Sequence, residues 1–168
     1  MCLGACSSPA PLTKAQYLQE TDQVCGGATK QLASASDTYV TDHKGFTPGP
    51  DTNEQFTRFT VIKQMRDTTT LLSRLSAPDG DQSYVEGMFA DYAHALDLWY
   101  ADPVGRSADA AVGAVATRFA SYGMKACAHM VQDASSDVGK RLVAAQKRVA
   151  AAAKAAPVSA GETSTAKG

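Results

Sequence analysis

The stretch YVEGMFADYAHALDLW, residues 84–99, carries the clearest structural pattern of the chain. Its large apolar side chains recur every three or four residues, at Tyr84 or Val85, Phe89, Tyr92, Leu96 and Trp99. Because an α-helix turns once every 3.6 residues, this spacing places them on one helical face. The stretch predicts an amphipathic helix that ends at Asp102 and Pro103.

A similar stripe precedes this helix at the start of the chain. Thr13 and Gln16 have the spacing of a capping box, which predicts the beginning of a first helix. Its inward positions run from Tyr17 to Tyr39 in steps of three and four. Gly26 and Gly27 interrupt the stripe, so we expect a kink there or the close approach of a neighbouring helix.

Two more helices are predicted between breaks rich in glycine and proline. After the break at residues 44–50, Asp51 and Glu54 repeat the capping spacing and open the second helix. Its stripe is formed by Val61, Met65, Thr68, Leu72 and Leu75, with Phe56 and Phe59 near its start. The turn at residues 77–81 leads into the helix described first. The fourth helix is short, with inward residues Val112, Val115, Phe119 and Tyr122 and with Gly123 as its C-cap.

These segments predict an all-α fold, because no convincing stretch alternates with the period of a strand. Short links between amphipathic helices favour an antiparallel up-and-down bundle of about four helices. We expect this bundle over residues 13–128, a tether over residues 1–12, a helical extension over residues 129–156 and a disordered tail over residues 157–168.

Composition limits the classes of function. The chain has 168 residues, a hydrophobic share of 44% and a net charge of -1, which fit one globular domain. Residues 13–134 contain 15 acidic and 10 basic side chains, whereas residues 135–168 contain 2 and 6. An acidic body argues against nucleic acid as a partner. No stretch approaches the roughly 18 uninterrupted apolar residues of a membrane span.

The N-terminus resembles the lipobox of bacterial lipoproteins. Leu3, Gly4, Ala5 and Cys6 have the lipobox order, and a tether rich in serine and proline follows. The resemblance implies that Cys6 carries acyl chains. A basic region and an apolar region, which a secretory signal needs, are missing before Leu3, so we expect a truncated or wrongly assigned start. A chance match of four residues is the alternative.

The cysteines predict a disulfide. If Cys6 is lipidated and Cys2 belongs to the removed or misread segment, Cys25 and Cys127 remain as a pair. In an exported protein such a pair is most simply a disulfide, which would tie the first helix to the end of the fourth. A catalytic cysteine or a metal site is the weaker alternative, because the chain has no CxxC motif and no clustered ligands.

The helix predicted after Asp133 is basic and amphipathic. One face carries Val138, Leu142, Ala145 and Val149, and the other carries Lys140, Arg141, Lys147, Arg148 and Lys154. The basic face predicts contact with anionic lipid head groups beside the anchor. The favoured alternative is a solvated, alanine-rich helix whose weak apolar face packs on the bundle or frays.

The chain from Thr13 to Ala128 resembles a family of small secreted or lipid-anchored helical proteins of actinobacteria whose activity is not established. The matching segments are TKAQYLQETDQVC at residues 13–25, APDGD at 77–81, ADP at 101–103 and YGMKAC at 122–127. The resemblance implies an exported helical domain with paired Cys25 and Cys127. It brings no catalytic residues, and the extension after Ala128 departs from the family pattern.

Candidates for chemistry are few. Asp91, His94 and Asp97 could share one side of a helix and hold a metal or pair a base with its carboxylate. His94 points away from the apolar stripe, however, so a solvated face is the favoured interpretation. His43 and His129 have no evident partner in the sequence. The aromatic side chains are interpreted as core, with a cavity for an apolar ligand as the alternative.

The sequence predicts a non-enzymatic protein without a cofactor or metal, anchored by lipid at the outer face of the cell membrane. We expect it to bind an envelope protein, for example as an accessory subunit of a membrane complex. The alternatives are a carrier of a small apolar ligand or lipid in a bundle cavity, and a hydrolase or metal-dependent enzyme that uses His94.

Overall fold

The computed structural model of the chain describes residues 12–103, 106–136 and 138–155, apart from the side chains of residues 106 and 107. No strand occurs among these residues, which confirms the all-α class. Seven α-helices and one π-helical segment follow in the order α1 (Lys14–Asp42), α2 (Pro50–Phe56), the π segment (Thr57–Val61), α3 (Ile62–Leu72), α4 (Gln82–Ala101), α5 (Arg106–Tyr122), α6 (Lys125–Ser135) and α7 (Val138–Ala155).

Five of these helices form a closed ring. Helix α1 packs against α3, α3 against α4, α4 against α5, α5 against α6, and α6 returns to α1. The predicted four-helix antiparallel bundle is therefore not confirmed, since α6 forms a fifth wall between α5 and α1. Gly123 makes this possible: its φ of 110° ends α5, and the Met124 amide donates to the Phe119 carbonyl at 2.9 Å.

Helix α6 advances in the same direction as α1, and α7 then runs back along α1 in the opposite direction. The Cys127 sulfur, near the start of α6, contacts the Thr21 carbonyl oxygen at 3.5 Å. Just after α6, Gly139 and Lys140 lie beside Pro48, which follows α1 in the sequence, and Arg148 of α7 pairs back with Asp37 of α1 at 2.7 Å. Two neighbouring walls of the ring are thus parallel, which an up-and-down bundle does not allow.

Helix α1 begins as predicted and continues without interruption. The Thr13 hydroxyl accepts from the Gln16 amide at 3.3 Å, and the Gln16 side chain accepts from the Thr13 amide at 3.0 Å. A methyl group at Gly26 or Gly27 would meet no atom within 4 Å. The expected close approach of a neighbouring helix at these glycines is therefore wrong.

The second helical stretch begins differently from the prediction. Gly49 is the N-cap and Pro50 is the first helical residue, so the capping box at Asp51 and Glu54 is absent. The threonines at residues 68–70 lie within α3, and each hydroxyl donates to the carbonyl four residues earlier. Phe59 is 65% exposed, unlike its neighbour Phe56, and does not belong to the core.

Helix α7 docks on the outside of the ring against α1 and α2. Leu142 and Ala145 are fully buried there, and Val138 and Val149 pack beside them. The favoured alternative for this helix, packing on the bundle, agrees with the structure. The domain boundary predicted after residue 128 falls inside α6. The predicted tail at residues 157–168 and Cys6 lie outside the described residues.

Candidate functional site

The predicted cysteine pair lies in the middle of the fold. The Cys25 and Cys127 sulfurs are 2.00 Å apart, a disulfide bond, and neither residue is exposed. The bond joins α1 to the first turn of α6, not to the end of α5 as predicted. Asp22 stabilises the same junction, since its carboxylate accepts from the Ala126 amide at the start of α6 at 3.1 Å.

Of the residues proposed for metal or acid–base chemistry, Asp91 and His94 line one surface groove together with Arg118, whereas Asp97 does not. Asp91 pairs with Arg118 of α5, whereas Asp97 pairs with Arg66 of α3 at 2.6 Å. These two carboxylates lie on opposite sides of α4, and His94 is exposed between them. In the described part of the chain, no three histidine, cysteine or acidic side chains could hold a metal together. The described residues therefore give the metal form of the His94 hypothesis no support.

The basic residues of α7 take different roles. Arg148 pairs with Asp37, and Arg141 donates to the Asp133 carbonyl. Partial burial lowers the pKa of Arg141. Lys140 and Lys147 line a surface groove of 500 Å³ between α7 and the segment before and within α2, and Lys154 is exposed. Because the apolar face of α7 packs on α1, that face is not available for insertion into a membrane.

The aromatic side chains mostly fill the core. Phe119 packs edge-on against Tyr92 with ring centroids 5.3 Å apart, and Tyr17 packs edge-on against Tyr122 at 6.3 Å. Burial raises the pKa of Tyr17 to about 12 and raises the pKa of Tyr92 as well. Neither of these two hydroxyls makes a hydrogen bond to another described residue. Five surface cavities in this part of the protein each include exposed residues in their walls.

The sequence did not reveal a ladder of charged and aromatic groups where α1, α4 and α5 meet. Lys14 lies 4.2 Å from the Tyr122 ring centre, Tyr122 stacks on Tyr84 at 5.5 Å, and Arg118 lies 4.9 Å from the Tyr84 ring centre. The Tyr122 hydroxyl donates to Asp81 at 2.8 Å. Asp81 is the N-cap residue of α4, but its carboxylate makes no cap hydrogen bond and instead binds Tyr122 and Lys14.

The π segment directs three successive side chains toward different parts of the protein. Arg58 points to α4, where its guanidinium donates to the Tyr100 carbonyl and to the Ala101 carbonyl at 3.3 Å. Phe59 points to solvent, and Thr60 points to α1. A π-helical insertion of this kind often occurs at functional sites because it redirects side chains that a regular helix would place elsewhere.

Thr60 and α1 form an open surface groove of 480 Å³ with a mixed apolar and polar lining, which we call the α1–π groove. Its wall is formed by Gln31, Ser34, Ala35, Thr38, Tyr39, Asp42, His43 and Thr60. The Tyr39 ring stacks on the His43 ring with centroids 4.2 Å apart, and Phe56 supports Tyr39 from the core at 5.0 Å. The His43 Nδ1 lies 2.9 Å from the Tyr39 carbonyl oxygen, so this nitrogen is the donor.

The ladder at Tyr122, the groove beside α7 and the α1–π groove are each formed by residues that are far apart in the sequence. Of these, the α1–π groove combines volume, an aromatic wall and several hydrogen-bonding groups, and it is the best candidate for a binding site.

No known protein family, no curated protein sequence and no solved structure matches this chain. The resemblance to exported actinobacterial proteins therefore remains a prediction. None of the described helices combines the length and the apolar character that crossing a bilayer requires.

Proposed function

We propose that the protein is a lipid-anchored, extracytoplasmic helical protein that binds a component of the cell envelope and has no catalytic role of its own. The disulfide between Cys25 and Cys127 carries this proposal. Disulfides persist in oxidising compartments and are rare in the cytosol, so a fully buried one at the centre of the fold supports an exported protein. The envelope component can be a protein, for example a membrane complex that this chain accompanies.

The position of the α1–π groove suits an anchored protein. A lipid on Cys6 would leave a tether that spans at most about 28 Å before Lys14. The groove residues on α1 lie between Gln31 and His43, about 25–45 Å along the helix from Lys14 at its rise per residue. The groove would then lie on the half of the molecule farther from the anchor, accessible to other envelope components.

Substitution of Cys6 tests the anchor and the location. The full chain is expressed behind added basic and apolar signal regions, joined before Met1, in a bacterium that processes lipoproteins, and membrane and soluble fractions are compared. We expect the wild type in the membrane fraction and Cys6→Ser in the soluble fraction, because a serine cannot carry the thioether-linked lipid. Cys2→Ser is the matched control and should behave as the wild type. An unchanged distribution of Cys6→Ser would contradict the anchor.

Thiol labelling of the same cells tests the compartment. Cys25 and Cys127 should resist alkylation until the protein is unfolded and reduced, because both sulfurs are buried and bonded to each other. Both cysteines reacting after unfolding without a reductant would contradict an oxidising location. Purification from native membranes should recover a stoichiometric envelope component, and repeated recovery of the chain alone would count against binding.

A further inference from the structure

We infer that the α1–π groove binds a neutral, polyhydroxylated ligand, an oligosaccharide of the cell envelope. This inference rests on the proposed function, because it names the envelope component that the protein would bind. Its support comes from the hydrogen-bonding state of the groove side chains, from the aromatic wall and from the charge of the lining.

The threonine hydroxyls in the groove are free, unlike those elsewhere in the helices. A helical threonine commonly donates to a backbone carbonyl one turn earlier. In the described helices every threonine hydroxyl donates to a backbone carbonyl, except those of Thr38 and Thr60. Both of these threonines line the α1–π groove, and the Ser34 hydroxyl beside them is also unbonded. Three hydroxyls thus remain available as donors and acceptors for a ligand.

His43 and Tyr39 add an acceptor and an apolar surface. Because the His43 Nδ1 donates to the Tyr39 carbonyl, Nε2 of the neutral ring is left as an acceptor. The stacked rings of the two residues form one wall of the groove. A sugar ring has an apolar C–H face and hydroxyl groups around its edge, which matches an aromatic wall beside hydroxyls and an imidazole.

The charge of the groove excludes other ligand classes. Asp42 is the charged side chain of the lining, and the lining contains no lysine or arginine. A phosphate or carboxylate ligand would therefore meet no lysine or arginine in the lining and would be repelled by Asp42. A wholly apolar ligand would remove the hydroxyls from water without replacing their hydrogen bonds, which costs free energy. The volume of 480 Å³ lies in the range of ligand sites, about 300–1,000 Å³.

Nuclear magnetic resonance titration of the full chain tests the inference. The probes are chitotriose, maltotriose, neutral oligosaccharides released from the envelope of the source cells, and glucose 6-phosphate as the anionic comparison. We expect saturable shifts of the Thr38, His43 and Thr60 resonances with a neutral oligosaccharide and weaker binding of the phosphorylated sugar. The absence of saturable shifts with all neutral probes would overturn the inference, as would tighter binding of glucose 6-phosphate.

A matched pair of variants assigns the binding to the free hydroxyls. Thr38→Val/Thr60→Val keeps the side-chain shape and removes two hydrogen-bonding groups, so we expect about tenfold weaker binding. Thr41→Val is the control, because the Thr41 hydroxyl lies outside the groove lining and already donates to the Asp37 carbonyl at 2.8 Å. Equal affinity of the double variant and the wild type would overturn the assignment. If no neutral oligosaccharide binds while membrane location still depends on Cys6, the ligand class is refuted and the proposed anchor stands.

Discussion

The Asp81 carboxylate joins the start of α4 to the end of α5 and to the start of α1. The Tyr122 hydroxyl donates to it at 2.8 Å, and the Lys14 ammonium lies 3.4 Å away. Chiefly through the Tyr122 hydrogen bond, these partners lower the pKa of Asp81. A lowered pKa in the folded state stabilises the fold above the unfolded pKa of about 3.9, and this contribution is lost as the pH falls through the folded value.

We therefore expect Asp81→Asn to unfold at lower urea concentration than the wild type at pH 6. The difference between the two proteins should shrink as the pH falls below about 4, because the unfolded wild-type chain then takes up a proton at this carboxylate before the folded protein does. Urea midpoints measured at pH 6 and at pH 2–3 check this. The control is Asp102→Asn, an exposed aspartate whose carboxylate makes no ion pair among the described residues. The same pH-dependent difference in Asp102→Asn would contradict the assignment of this effect to the Asp81 carboxylate.

Replacing tyrosine by phenylalanine removes the same hydroxyl group at three buried positions with different hydrogen-bonding surroundings. The Tyr17 and Tyr92 hydroxyls are buried and make no hydrogen bond to the described residues, whereas the Tyr122 hydroxyl binds Asp81. Removing an unsatisfied hydroxyl relieves its desolvation, so Tyr17→Phe and Tyr92→Phe should raise the free energy of unfolding by about 1 kcal/mol. Tyr122→Phe should lower it. Urea unfolding measures all three, and a loss at Tyr17 equal to that at Tyr122 would contradict this account.

Among the secondary-structure elements, the π segment and α7 are each held in place by long-range contacts. Arg58 pairs with Glu54 at 2.9 Å and reaches the last carbonyls of α4, whose partial negative charge attracts a cation. This contact fixes the segment against α4 while Thr60 faces α1. Period counting misses such a segment because it assumes 3.6 residues per turn throughout.

Helix α7 is held by its apolar face and by polar contacts at its rim. Leu142 is fully buried, whereas the next residue, Val143, is 40% exposed. Leu142→Ala should weaken the docking of α7 by about 2–4 kcal/mol, since it removes buried methyl groups and leaves a cavity. Hydrogen exchange of the α7 amides should then become faster. Val143→Ala is the control and should leave exchange unchanged; equal acceleration in both variants would mean that Leu142 does not hold the helix.

For the whole molecule, the disulfide restrains the unfolded chain. It links residues 102 positions apart, and a loop of about that length contributes roughly 4–5 kcal/mol in the chain-entropy description. Cys25→Ala/Cys127→Ala should lower the free energy of unfolding by about this amount. Dithiothreitol should destabilise the wild type and leave the double variant unchanged. Equal urea midpoints of the wild type with and without reductant would contradict a stabilising disulfide.

The sequence by itself determined the local features of this protein. The capping box at Thr13, the end of α5 at Gly123 and the inward faces of α1, α3, α4 and α5 follow from residue spacing, because they depend on neighbours within one or two turns. The pairing of Cys25 with Cys127 could be predicted because the other two cysteines belong to the N-terminal segment.

Only the tertiary structure decided which surfaces meet. A helical stripe shows that a face is buried but not which helix covers it, so the fifth wall formed by α6 and the docking of α7 could not be read from spacing. The Tyr122–Asp81 contact joins residues 41 positions apart. The α1–π groove likewise combines residues 31–43 with Thr60, and its free hydroxyls become evident only when every helical hydrogen bond is assigned.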